Sequence, residues 1–396
     1  MLGDTLYFAF LILFIGSIVR LGASIYLPAM PLIAEELQIS KALMSNTLTV
    51  YFVVFASFTL LAGILSDAYG RKRVLMSGMF FFILGSVVCA LSESYEVLMI
   101  GRMIQAFGAS MVPGTLMAII RDACSDLRVV TLMGWLTVLG GLFLVAAPII
   151  GGVLTQLFGW SANFWFLALF TFLVFILTIY SMKETHHKDA RTPVNIRETL
   201  SIVLRMLSTS SFILVLAPVI SFYAIQGAFL AAVPFILMGE YGLDPVIFGI
   251  SNLNIVIGLF SGRYLGMYFL KEHGAASVYK YGSWLAILVA LLFIVIALGW
   301  IKGLWTFLII TGIFAALFGM VAPLGMKSSL SAFRTVSGVA AALQSASLFI
   351  ASALGSAAVG LLMHHFESLS VETIFAIVSA FLCLAAAVTG LKTKTF

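Results

Sequence analysis

Gly-Ile-Leu-Ser-Asp-Ala-Tyr-Gly-Arg-Lys-Arg, residues 63–73, is a polar island with three consecutive cations between two long apolar runs. Three adjacent charges do not sit in hydrocarbon, so the island marks an aqueous face. Clustered Lys and Arg between two apolar runs mark the cytoplasmic one. The rest of the chain agrees with a membrane setting. Of its 396 residues 62% are hydrophobic and 9% charged, with mean hydropathy +1.16. A soluble chain of this length could not hide that much apolar side chain. The net charge of +5 comes from basic residues in short loops, which reads as topology and not as nucleic-acid binding.

Working outward from 63–73, runs of about 20 apolar residues define spans. They cover 5–33, 41–66, 73–92, 95–121, 128–157 and 162–182, then 211–238, 245–270, 277–299, 303–326, 336–363 and 371–391. The first run is too long for a cleaved leader and lacks a basic flank, so it reads as a span. Twelve spans place both termini on the side of the 63–73 loop. Of the 21 Lys and Arg residues, 17 fall on that side, Lys41 and Lys302 stand on the other, and Arg20 and Arg102 lie inside spans. The division expected is an N-terminal six-helix half, 1–182, a cytoplasmic linker, 183–210, and a C-terminal six-helix half, 211–396. Within the linker, 194–206 is expected as a short amphipathic helix on the membrane surface. Gly262, Arg263, Lys271 and Gly274 form a degraded echo of the 63–73 loop in the second half.

A series of motifs occurs in order along the chain. Span 1 ends Ile-Tyr-Leu-Pro-Ala-Met-Pro (25–31), and span 2 runs from Asn46 into the 63–73 loop. Span 4 carries Leu98, Arg102, Gln105 and Gly108 at L-x-x-x-R-x-x-Q-x-x-G spacing. Span 5 reads Ala-Ala-Pro-Ile-Ile-Gly-Gly (146–152). Gly-Trp-Ser-Ala-Asn-Phe-Trp (159–165) opens span 6 and Lys-Glu-Thr (183–185) closes it. Val-Pro-Phe-Ile-Leu-Met-Gly-Glu-Tyr-Gly-Leu (233–243) closes span 7. Together these resemble the major facilitator superfamily, and within it the twelve-helix drug:proton antiporters of the Bcr/CflA drug-resistance subfamily.

The resemblance implies an all-α polytopic membrane protein of the major facilitator fold. It also implies a bacterial inner-membrane setting, a monomer, no cofactor, a small-molecule substrate and a proton as coupling ion. It assigns Gly63, Asp67, Gly70, Arg71, Arg73 and Asp122 to a conformational latch. There Asp67 faces the N-terminus of span 11 near Ser337, where a helix dipole favours a carboxylate, and Arg71 pairs with Asp122. It assigns Gly140, Gly141, Pro148, Gly151 and Gly152 to the antiport motif, whose small residues also allow close helix packing. Ala147 stands where the family places Gly before the proline.

One departure bears on substrate. The subfamily places an acid in span 1 before the Tyr-Leu-Pro segment. Here that position is Ser24, with Arg20 one turn earlier on the same face. None of the sixteen acids falls deep in a span, so the deep charges are Arg20 and Arg102. Each costs at least ~2.5 kcal/mol at mid-bilayer and so marks a functional cavity by default. A guanidinium fork suits carboxylate. Arg20 either meets substrate or satisfies helix carbonyls. Arg102 serves proton coupling, or holds Gln105 and nearby carbonyls. Ser24, Tyr51, Gln105, Tyr223, Gln226, Asn252, Asn254 and Gln344 are further candidates to line the cavity, or else to hold helices together.

The expected function is proton-coupled export by alternating access, since no phosphate-binding loop is present. The cavity is biased to anionic or oxygen-rich solutes: carboxylate metabolites, siderophores, or a neutral drug such as chloramphenicol. Import or uncoupled movement of an organic anion or siderophore remains open. An enzyme is not expected. His186, His187, His273, His364 and His365 fall in loops or at helix ends, Cys89, Cys124 and Cys383 are scattered, and no metal-binding or catalytic grouping is seen.

Overall fold

In hydrocarbon the backbone must satisfy its own hydrogen bonds, and a helix does so within one segment. The computed structural model describes residues 6–186, 196–330, 333 and 337–392, and among them every regular element is a helix. Lys188, Asp189, Arg191, Arg334 and Lys394 lie outside the described residues, as does the side chain of Ser337.

Spans 1 to 6 are Tyr7–Glu36, Lys41–Tyr69, Arg71–Ala90, Tyr95–Ala123, Leu127–Phe158 and Ser161–Ser181. Span 7 is Phe212–Glu240, and spans 10 to 12 are Leu304–Leu330, Gly338–His365 and Val371–Lys392. Spans 8 and 9 share the helical stretch Pro245–Ala297 and are divided at Gly274, whose φ of 77° reverses the chain in one residue. Only glycine holds such a backbone without strain.

Local chemistry sets the boundaries. Ser40 Oγ accepts from Leu43 N at 3.2 Å and opens span 2. Asp244 Oδ1 accepts from Val246 N and Ile247 N, both at 2.9 Å, and opens span 8. Prolines interrupt three spans. Span 1 tightens into a three-residue turn at Leu27–Ala29, with Pro28 at its centre. Span 4 breaks between Ser110 and Val112, before Pro113. After Pro234, span 7 widens into a π-turn over Phe235–Glu240.

The linker helix, Ile196–Leu207, is more than a surface helix. Met206 is fully buried, and Ile202 and Val203 pack with it against Phe212, Leu216 and Leu343 of spans 7 and 11. Leu200, Leu204 and Leu207 form a second, exposed apolar face.

Spans 1 to 6 pack chiefly on one another, as do spans 7 to 12. Between the groups, spans 2 and 11 and spans 5 and 8 make the principal contacts. These contacts are closest at the end of the molecule that carries Trp160. Thr49 Oγ1 donates to Ser356 Oγ at 2.9 Å, and the Phe55 and Phe349 rings lie 4.1 Å apart. A Cβ on Gly152 would stand 2.2 Å from Pro245 O, and one on Gly249 2.6 Å from Ile149 Cα. Toward the opposite, Arg71 end, Leu60 still packs across. Beyond it, Gly63 and Gly338 have nothing within 4 Å of a would-be Cβ. Spans 2 and 11 thus zip at the Trp160 end and part at the Arg71 end.

Candidate substrate cavity and coupling residues

A cavity of about 600 Å³, counting its open mouth, lies between the two groups of spans. Spans 1, 5, 7, 8 and 10 supply its walls. Ser24, Gln226 and Asn252 give it polar groups, while Leu230, Phe314 and Phe318 make it mainly apolar. Ser24 Oγ donates to Arg20 O at 2.8 Å and Asn252 Nδ2 to Phe248 O at 2.8 Å. The Gln226 amide makes no hydrogen bond among the described residues. Pro148, inside span 5, also reaches this wall.

Arg20 sits one turn from Ser24, near the middle of span 1. Protein surrounds it on most sides, yet the side chain is solvent-exposed. Its guanidinium forms no hydrogen bond or ion pair among the described residues. It lies over Gly140 of span 5 and within electrostatic reach of Tyr223 of span 7. The lipid-facing residues of span 1, Tyr7, Phe10 and Phe14, occupy a different face.

Arg102, a candidate either to line the cavity or to hold Gln105 and nearby carbonyls, is fully buried and does not reach the cavity wall. Nη1 donates to Gly22 O at 3.1 Å and to Gln105 Oε1, and Gln105 Nε2 donates to Ser86 Oγ at 2.8 Å. Its Cζ stands 4.2 Å from the Tyr26 ring centroid and 4.3 Å from that of Tyr51. Two aromatic faces therefore take the place of a counter-ion. Nε and Nη2, and the Tyr51 hydroxyl, are buried without a hydrogen bond. In this conformation Arg102, Gln105 and Tyr51 form a fully buried core cluster away from the cavity lining. Tyr26 was not foreseen in this role, although it stands in the motif that ends span 1.

Two further candidates hold helices together. Asn254 Nδ2 donates to Leu308 O at 2.8 Å and Thr311 Oγ1 at 3.1 Å, joining spans 8 and 10. Gln344 Nε2 donates to Met326 O at 2.8 Å and Ser329 Oγ at 2.6 Å, joining spans 11 and 10.

At the Arg71 end, the Arg71 guanidinium takes Asp67 on one side and Asp122, at 3.2 Å, on the other, and also donates to Ser66 Oγ at 3.1 Å. The expected contact of Asp67 with the start of span 11 near Ser337 falls on side chains outside the described residues; among the described residues Asp67 pairs with Arg71 inside the first group of spans. Glu184 joins the cluster. Its Oε1 accepts from Arg71 N at 2.9 Å and His186 N at 3.1 Å, which caps span 3 and ties it to the exit of span 6. Gly70, at φ 103°, makes the turn. Arg73 is exposed and edges a shallow pocket with Leu65 and Met111.

The antiport-motif glycines differ among themselves. Would-be Cβ atoms on Gly151 and Gly152 meet backbone oxygens of Ile25 and Pro245 at 1.8 and 2.2 Å. On Gly141 the neighbour is the Phe260 ring at 3.0 Å, and on Gly140 it is the Arg20 guanidinium at 2.6 Å.

Comparison with known proteins places these features. The family profile described as Major Facilitator Superfamily matches residues 12–299. The chain is 30% identical over 271 residues to the MFS-type transporter YdgK of Bacillus subtilis (strain 168), covering 67% of each protein. It is 33% identical over 164 residues to the multidrug resistance protein MdtL of Escherichia coli (strain K12 / DH10B), covering 41% of this chain and 42% of that one. In fold it is similar to the crystal structure of a D-xylose-proton symporter, with TM-score 0.74, 13% identity and 96% of each chain covered.

Proposed function

Since the chain belongs to the major facilitator superfamily and is therefore a multi-pass membrane transporter and not an enzyme, we propose that it exports small organic molecules by alternating access. One observation carries this reading: the cavity draws walls from both groups of spans, and those groups are zipped at one end and parted at the other. A solute there is exposed to one side at a time as the halves rock. With the Arg71 end cytoplasmic in a bacterial inner membrane, as the cation bias supports, the conformation described is inward-facing. Both termini are then cytoplasmic and the working unit is a monomer.

Energy comes from the proton gradient in this reading. The likeness to MdtL supports multidrug efflux. The aromatic wall favours solutes with an apolar body, and Arg20 with Gln226 favours anionic or oxygen-rich groups on them. Carboxylate metabolites, siderophores and neutral drugs such as chloramphenicol are the candidate classes. The reading for the Arg71 cluster is a latch: Asp67, Arg71 and Asp122 hold spans 2, 3 and 4 together at the end that must close.

Reconstituted vesicles test the proposal. An imposed pH gradient is expected to drive uptake of chloramphenicol or an organic anion against its gradient. Flux that equilibrates solute but ignores the pH gradient would leave the second reading, a facilitator or importer of an organic anion or siderophore. That reading draws on the absence of a buried acid near the cavity: among the described residues the buried carboxylate is Glu372, at the start of span 12.

A further inference from the structure

We propose that Gly140 is the seat of a carboxylate-binding subsite whose cation is Arg20, and that this subsite selects monoanionic aromatic amphiphiles. The inference rests on the transporter reading above and adds to it a residue role and a substrate class.

The geometry is specific. An added Cβ on Gly140 would lie 2.6 Å from both Cζ and Nε of Arg20 and 2.7 Å from Nη2. Three guanidinium atoms at nearly one distance mean that the planar group lies flat over the Gly140 backbone. The glycine is there because a side chain would displace the cation. Close helix packing does not explain it, since the neighbour is a side-chain tip and not a helix backbone. Gly151 and Gly152, in the same motif, meet backbone oxygens and are packing glycines.

The ligand class follows from what the cation lacks. A guanidinium at mid-span that has neither an acid nor a hydrogen-bonded carbonyl among the described residues is costly, and an anion that completes its fork relieves that cost. Tyr223, from the opposite half, brings a hydroxyl into the same field. A bound carboxylate there touches both halves, as a transported solute must. Four residues of helix separate Arg20 from Ser24 in the cavity wall, about 6 Å of rise. One solute can thus place a carboxylate on Arg20 and an aromatic ring between Phe229, Phe314 and Phe318. A large polar chelate fits this arrangement poorly.

The probes are 1-naphthoate and its neutral isostere 1-naphthamide, measured by thermal shift and equilibrium binding on the purified full chain. Wild type is expected to bind naphthoate about tenfold more tightly, the worth of a charge-assisted bidentate pair. Arg20→Ala should remove the difference, and Gly140→Ala should reduce it several-fold with little change in unliganded melting temperature. In the Arg20→Ala background, Gly140→Ala should have no further effect, because its action passes through the guanidinium. Equal binding of the two probes by wild type, no binding of naphthoate, or an undiminished Gly140→Ala effect without Arg20 would each overturn the proposal. Vesicle flux of a neutral dye separates the two readings. If wild type transports the dye while the binding result fails, the transporter stands and the subsite falls.

Discussion

Replacing Gly152 with Ala should shift the molecule away from the conformation described. The new methyl would stand 2.2 Å from Pro245 O and 3.0 Å from Val246 Cα, across the contact between spans 5 and 8. Ordinary carbon contacts are near 3.5 Å, so the spans must part by about 1 Å at the Trp160 end. Overpacking of this kind costs about 1–3 kcal/mol. That cost falls on the zipped state alone if the contact opens in the alternate one, so the equilibrium should move by about 5- to 150-fold. The assay is labelling of a cysteine at Ser356, a fully buried position facing Thr49 and Ser45 in the zipped contact. A membrane-impermeant maleimide should label Ser356→Cys slowly, and Gly152→Ala should raise the rate several-fold. Gly151→Ala is the control. Its methyl would meet Ile25 O at 1.8 Å, within the first group of spans, so it should lower the melting temperature without favouring either conformation. Unchanged labelling in a normally melting Gly152→Ala protein would refute the claim that this contact closes the Trp160 end.

Glu184→Ala should lower the melting temperature, because it uncaps span 3 at Arg71 N, with a cost of about 0.5–2 kcal/mol; Glu184→Gln, which keeps an acceptor, should restore part of it. Arg102→Lys should destabilise the protein by about 1–2 kcal/mol per ring, since an ammonium cannot stack flat between Tyr26 and Tyr51; thermal melts in detergent check this. Tyr241 lies between spans 7 and 8, and burial, aided by its hydrogen bond to Glu372 at 2.9 Å, pushes its phenol up to about 12. The folded protein therefore holds this proton where the unfolded chain releases it, so the stabilisation is complete below about pH 10 and fades as pH rises toward 12. Tyr241→Phe should abolish that part of the alkaline decline in melting temperature.

The spans and the signature loop were legible because both signals are local. Apolar length and clustered cations need no knowledge of what lies opposite. The Arg71–Asp122 pair was legible because the two motifs sit at facing span ends. Glu184 was not, since nothing in Lys-Glu-Thr reveals that its carboxylate folds back across 113 residues onto span 3. Gly140 was readable as small and in a motif, but the Arg20 side chain that requires it to be small comes from another span. For Arg102 the sequence left proton coupling and a hold on Gln105 and nearby carbonyls as alternatives, with no sign of the aromatic rings. Its stacking on Tyr26 and Tyr51 is a three-dimensional arrangement of residues that are individually ordinary in sequence. Asn254 and Gln344 were ambiguous for a related reason: an amide inside a span looks the same whether it meets solute or a neighbouring carbonyl.

The corner at Gly274 has a mechanical consequence. Spans 8 and 9 meet there with a single residue between them, and Tyr281 packs against Phe269 across the corner with ring centroids 5.4 Å apart. No slack separates the helix that touches span 5 from the one behind it. A tilt imposed on span 8 is handed directly to span 9, like a bent lever pivoting about one joint, so these two helices swing as one arm.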